Sequence, residues 1–337
     1  MVSVYVSGAS GFIAQHVVKQ LIEKQYKVVG SVRTEEKGEL LAKRFGPLFT
    51  FEVVKDISKT GSFDESLKKH PEVTVFLHTA SPFFLNAVDV EKELLEPAVE
   101  GTKNALSSIK NHGPQIKHVV ITSSFAAVKN AAHDKDRDFV LTEESWNPIT
   151  REEGLSNPGL GYLASKTFAE REAWDFVKEN KPNFTLATIN PTFVFGPQAF
   201  DDDIKDSLNT SAEVINNLLK LKQTDSIPES QSGYIDVRDV AKAHLTAFEN
   251  KQLYNQRLVV FAGRYCSQML IDIIHDKFPE LSKQVPVGKP GTGQKFIKQF
   301  CGWNFKKTEE ILGFKYITLE QCVVDSVEQI LKARRSS

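Results

Sequence analysis

Apolar positions along the chain recur in two alternating periods. Val2, Val4 and Val6 stand at every second residue and stop at Gly8, the pattern of a buried strand, while between His16 and Glu23 the apolar residues Val17, Val18, Leu21 and Ile22 fall at helical spacing. Short β-rich runs return at 27–32, 51–54, 73–77, 118–122, 185–189 and 257–261, separated mostly by helix-spaced stretches. Strand alternating with helix predicts an α/β fold: a doubly wound parallel sheet with helices on both faces and a ligand at the carboxyl ends of the strands. After Pro191 the pattern loosens as Pro, Gly and Lys become more frequent. The chain therefore divides into a main domain, 1–190 plus 234–262, and a smaller lobe over the ligand, 191–233 plus 263–337.

The turn that follows the first strand carries the first chemical signal. Gly8, Ala9, Ser10, Gly11, Phe12 and Ile13 include no charge, and Gly8, Gly11 and Ala14 sit at the bend. In such a turn the first small residue permits the bend, the next lets backbone approach a pyrophosphate, and the last lets the helix pack on the strand, with the phosphates at the helix N-terminus. The spacing is Gly-x-x-Gly-x-x-Ala in place of Gly-x-Gly-x-x-Gly. NAD binding calls for Asp or Glu about 20 residues beyond the glycines. This chain presents Ser31, Arg33 and Thr34 there, with Lys37 one helical turn further. Arg33 has the planar donor geometry for a 2′-phosphate, so NADP(H) is the expected cofactor, with Glu35 and Glu36 as neighbours that would compete for the arginine. After the third strand, Asp56 is placed to accept from the adenine amino group and Ile57 to cover the ring. His78 ends the fourth strand and reads as a packing histidine, followed by small residues that let backbone approach the cofactor.

Charge narrows the partners. With 42 basic and 43 acidic residues, net −1, no broad field recommends nucleic acid or a membrane surface, and a small neutral-to-anionic ligand fits better. No apolar run approaches the roughly 18 residues of a spanning helix, and the strand pattern already starts at Val2, so a cytoplasmic location is expected. Cys266, Cys301 and Cys322 lack metal-ligand spacing and read as packing residues in a reducing compartment; the eight histidines include no His-x-x-x-His pair, so no metal is expected.

The fifth β-rich run ends in Thr122-Ser123-Ser124-Phe125, a hydroxyl pair at the carboxyl edge where a nicotinamide would lie. Tyr162-Leu-Ala-Ser-Lys166 then opens a helical run, and i, i+4 spacing puts phenol and ammonium on one face. A phenol with a pKa of about 10 is a poor acid–base near neutrality, and a nearby cation brings it closer to working pH. Specificity lies in the order of features: glycine turn, strand-end serine, Tyr-x-x-x-Lys, then Asn190-Pro191 closing the next strand.

In that order the chain resembles an extended short-chain dehydrogenase/reductase, a Rossmann-type fold. Over nearly its full length it is similar to the fungal NADPH-dependent methylglyoxal reductase/3-methylbutanal reductase group, through Phe12-Ile-Ala-Gln-His16, Glu143-Glu-Ser-Trp-Asn-Pro148, Phe195-Gly-Pro-Gln198 and Gly233-Tyr-Ile-Asp-Val-Arg-Asp-Val240. The resemblance implies a catalytic triad of Ser124, Tyr162 and Lys166, and NADP contacts from Gly8 to Ile13 and from Arg33, Lys37, Asp56, Ile57, Tyr162, Lys166, Val194 and Ser211. It implies reduction of a small-molecule aldehyde or ketone, with Tyr162 giving the proton, Ser124 positioning the oxygen and Lys166 tuning Tyr162. Relatives carry Tyr where this chain has Phe125 and Phe193, so the pocket, expected to include Phe83, Phe125 and Phe193, should be drier. Members of the family dimerise through helices like 97–110 and 163–178, although monomers are also found. Two other readings share the fold. A non-catalytic NADP-binding sensor would be expected to lose the tyrosine, and a nucleotide-sugar epimerase or dehydratase to carry a basic cluster for a diphosphate in 191–233.

Overall fold

The computed structural model describes residues 2–81 and 87–336. The alternating pattern becomes β1 (Ser3–Ser7), α1 (Phe12–Glu23), β2 (Lys27–Val32), α2 (Glu35–Phe45), β3 (Phe49–Val53), α3 (Asp64–Lys69), β4 (Val73–His78), α4 (Glu96–His112) and β5 (His118–Thr122). After the short β6 (Val140–Leu141) and α5 (Arg151–Gly154) come α6 (Pro158–Asn180), β7 (Thr185–Pro191), β8 (Phe193–Phe195), α7 (Thr210–Leu218), β9 (Gln231–Asp236), α8 (Val237–Glu249) and β10 (Arg257–Val260). The remaining elements are β11 (Gly263–Cys266), α9 (Ser267–Lys277), α10 (Gly293–Ile297), β12 (Gly302–Trp303), α11 (Lys306–Leu312) and α12 (Leu319–Ser336).

Seven strands form one parallel sheet in the order β3-β2-β1-β4-β5-β7-β10. The order reverses between β1 and β4, and there the carboxyl ends of the strands leave a crevice for a ligand. Alternation along β1 separates two cores. Val4 and Val6 pack with Val17, Val18 and Leu21 of α1 and with Val240 of α8. Tyr5 points the other way, stacking on Phe76 at 4.7 Å among residues of α3, α4 and α6, and its hydroxyl meets Ser66 Oγ at 2.7 Å. Burial on both faces is what a parallel sheet covered by crossover helices requires.

A second, three-stranded sheet, β11-β9-β8, and the helices α7, α9 and α12 share their own apolar core. Two details differ from the sequence reading. Tyr234–Asp236 belong to β9 of the small sheet, so only α8 and β10 rejoin the main one. α11, by contrast, comes from the 263–337 range yet covers the open edge of β10, where the Val259 N–H donates to Thr308 Oγ1 at 3.2 Å and is withheld from pairing with another chain.

Candidate active site

The first edge of the crevice is made by backbone. Gly8 adopts φ +67°, and a Cβ there would lie 3.0 Å from Ala80, so the turn after β1 closes against the end of β4 only with glycine. Ser7 Oγ accepts from the N–H groups of Thr79 and Ala80, both at 3.1 Å, which leaves its own proton for His78 Nδ1 at 2.9 Å. Burial pushes the His78 pKa down to about 3, so the ring is a neutral acceptor within the packing. From β2, Ser31 accepts the Gly8 N–H on its hydroxyl (3.1 Å) and the Ala9 N–H on its carbonyl (2.8 Å). The N-cap of α1 is Gly11, which has no side chain to satisfy the first-turn N–H groups. A capless N-terminus behind a glycine turn fits a pyrophosphate.

Arg33 and Lys37 lie exposed at the end of β2 and on α2, and neither has an ion-pair partner among the described residues. The neighbouring acids do not take Arg33: the Glu36 carboxyl is held below its usual pKa by its own backbone N–H and the Thr34 hydroxyl. Asp56 folds back on its own loop, its Oδ1 accepting from Ser58 N (2.9 Å) and Ser58 Oγ (2.6 Å), which lowers its pKa. Ile57 packs against Gly101 of α4. These residues fit NADP(H): a phosphate cradle followed by two uncommitted cations. Val194 is buried in β8, and Ser211 stands in the first turn of α7, its hydroxyl accepting from Asn209 at 3.2 Å.

The second edge is made by side chains. α6 begins at Pro158, four residues before the tyrosine; Pro158 takes the first helical position, and the Asn157 side chain caps the helix by accepting the Leu160 N–H at 3.0 Å. One turn in, Tyr162 donates its hydroxyl proton to Ser124 Oγ at 3.2 Å. Ser124 Oγ also accepts the Ala126 N–H at 3.1 Å, so both of its lone pairs are used and its proton is left to donate. Lys166, the next turn of α6, is buried, and burial lowers its pKa to about 8. Burial raises the Tyr162 pKa, and the Ser124 hydrogen bond only partly opposes it. Desolvation thus outweighs the lowering expected from Lys166, and the phenol keeps its proton. A cavity of about 10 Å3, room for one water, lies between His78, Ala80, Ser81, Thr102, Lys166 and Glu170.

Ser123 is directed elsewhere. Its hydroxyl donates to Glu170 at 2.6 Å, and that buried carboxylate also accepts from Asn190 Nδ2 (2.5 Å), Arg257 Nε (2.6 Å), Thr188 Oγ1 (3.1 Å) and Trp174 Nε1 (3.4 Å). Glu170 and Arg257 escaped the sequence reading. The available signal was an acid one turn beyond Lys166, on the face of α6 that buries Ala169 and Ala173.

Phe125 and Phe193 differ in their surroundings. The Phe125 ring is buried against Trp303 (4.3 Å) and Phe305 (6.1 Å), whereas Phe193 is 38% exposed beside Phe195 and Tyr265. Ser124 is extended and Phe125 begins a tight helical turn, so consecutive side chains diverge. The space beside Phe125, about 20 Å3, is not dry: Lys129, Asp134, Gln231, Ser232 and Arg264 line it. Phe83 lies outside the described residues. Among the described residues no group of three or more His, Cys, Asp or Glu is placed to hold a metal, and no helix is long and apolar enough to cross a membrane.

Residues 4–260 match the NAD dependent epimerase/dehydratase family. The chain is 48% identical to the NADPH-dependent methylglyoxal reductase GRE2 of Saccharomyces cerevisiae over 98% of both chains. Its structure is similar to the crystal structure of Gre2 from Candida albicans in complex with NADPH, at 53% identity and TM-score 0.97 over 99% of each chain. It is also similar to yeast methylglyoxal/isovaleraldehyde reductase Gre2 complexed with NADPH, with 47% identity and TM-score 0.97 over 99% of this chain and 100% of that one.

Proposed function

The chain belongs to the NAD dependent epimerase/dehydratase family, as an extended short-chain dehydrogenase/reductase, and from that premise we propose that it reduces aldehydes and ketones to alcohols with NADPH. The observation that carries the reading is the hydrogen bond from Tyr162 to Ser124, with Lys166 one turn behind Tyr162 on the same helix. A carbonyl oxygen seated between the two hydroxyls takes the free proton of Ser124 as a hydrogen bond and receives the proton of Tyr162 as it gains charge. Charged Lys166 then steadies the phenolate that remains. Bound NADPH supplies the hydride. The glycine turn and α1 would hold its pyrophosphate, Arg33 and Lys37 its 2′-phosphate, and Asp56 and Ile57 its adenine.

Relatives named as reductases at 47–48% identity favour this reading over an epimerase, a dehydratase or a silent sensor. Substrates of the size of methylglyoxal and 3-methylbutanal follow from the same similarity, with Phe193 at the mouth of the site and Phe125 in its wall. A reductase drawing on NADPH, with three buried unpaired cysteines, belongs in the cytoplasm. Tyr162→Phe keeps the ring and deletes the acid. With NADPH and a panel of carbonyls followed at the nicotinamide absorbance, turnover should fall by roughly 10²–10⁴ while NADPH binding changes little. Near-normal turnover in that variant would remove Tyr162 from the chemistry.

A further inference from the structure

We propose that Glu170 is a positioning residue for hydride transfer: its buried carboxylate fixes where Ser124 stands relative to Tyr162. Tyr162, Lys166 and Glu170 follow one another at four-residue spacing along α6, so the helix that carries the proton donor also carries the group that anchors the opposite wall. One oxygen of Glu170 accepts from the Ser123 hydroxyl at the end of β5 and from Asn190 Nδ2 at the end of β7. Asn190 Nδ2 also donates to the Ser124 carbonyl at 3.2 Å. Ser124 is thereby held from both sides, through its neighbour Ser123 and through its own carbonyl.

The second oxygen accepts from Thr188 and from Arg257 Nε, and the rest of that guanidinium bonds the carbonyls of Ala127, Glu143 and Ser145. Ala127 ends the turn that starts at Phe125, so the same network pins the chain on the far side of Ser124 as well. Five donors converge on Glu170, counting Trp174 Nε1 at 3.4 Å. This environment distinguishes a carboxylate from an amide of the same shape. In Glu170→Gln one side of the group becomes a donor facing donors. Hydroxyls can turn away from it, but Asn190 cannot without rotation. Its Oδ1 is a buried acceptor with no partner among the described residues, so a rotated Asn190 could receive the new amide, and would then give up the Ser124 carbonyl.

The proposal rests on the reading of Ser124 as the residue that orients the carbonyl oxygen, and a double-mutant cycle separates the two. Parent, Glu170→Gln, Ser124→Ala and the double variant are compared for kcat, for KM of NADPH and of 3-methylbutanal, and for NADPH binding by fluorescence. Displacing a positioned group by about 1 Å costs roughly 10²-fold, so Glu170→Gln should lower kcat on that scale with NADPH binding nearly unchanged. In the Ser124→Ala background the same substitution should have little further effect, because no hydroxyl is left to misplace. Equal losses in both backgrounds, or no loss of kcat, would overturn the proposal and leave Glu170 as a fold residue. Parent-like turnover in Ser124→Ala would overturn the Ser124 reading itself and this proposal with it. Should Glu170→Gln fail to fold, Ser123→Ala removes one of the five bonds and must lower kcat with the same dependence on Ser124; an unchanged kcat there overturns the proposal.

Discussion

The two edges of the crevice handle charge in opposite ways. At the cofactor edge, Arg33 and Lys37 stand in solvent without ion-pair partners among the described residues, and the contacts that shape the turn come from Gly8, Ser31 and Ser7. At the catalytic edge, Glu170 is 1% exposed and takes five hydrogen bonds, one of them from Arg257, whose guanidinium also stacks 3.8 Å above the Trp146 ring. Charge reserved for an incoming ligand can wait in water at little cost. Charge that sets geometry is buried, and a buried ion is tolerable only when every acceptor position is filled.

The contrast breaks most visibly at Arg257. Replacement by Leu leaves the Glu170 carboxylate buried without its counter-charge and should destabilise the fold by about 3–5 kcal/mol, read as a lowered denaturation midpoint. A loss below about 1 kcal/mol would mean that the hydroxyl and amide donors suffice alone.

Arg33→Ala should show the reverse profile. Stability should stay near that of the parent, whereas NADPH affinity falls roughly 10- to 150-fold, the worth of a charge-assisted hydrogen bond, and NADH affinity barely moves. Equal losses for both cofactors would assign Arg33 to holding the loop.

The smallest effect concerns pH. Lys166 is a cation below its pKa of about 8, and Tyr162, its phenol raised by burial, keeps its proton through the same range. Both required forms are present below pH 8. As pH rises through about 8 the ammonium is lost, and kcat/KM for NADPH, which reports the free enzyme, should decline toward a tenfold drop per unit. A flat profile to pH 9.5 would show that the Lys166 charge is dispensable.

Much of this was open to reading in the chain itself. The strands β2, β5 and β7, the glycine turn and the helix that carries Tyr162 and Lys166 lie where periodicity put them, because alternation and helical spacing are properties of contiguous residues. The start of α6 was missed by four residues, although Asn157-Pro158 is a recognisable cap. The return of Tyr234–Asp236 to the main sheet was misplaced, since an apolar run does not say which of two sheets it joins.

Periodicity and spacing carry the local features: which segments are strand or helix, where the glycine turn falls, and that a phenol and an ammonium share a helix face. Tertiary packing brings Ser124 to Tyr162 across 38 residues and Arg257 to Glu170 across 87. It also decided that Phe125, one residue after Ser124, turns into the wall against Trp303. These outcomes depend on the register between neighbouring strands and on the direction each side chain takes at a strand end. A shift of one residue in either reverses the face presented, and only packing of the whole sheet fixes it.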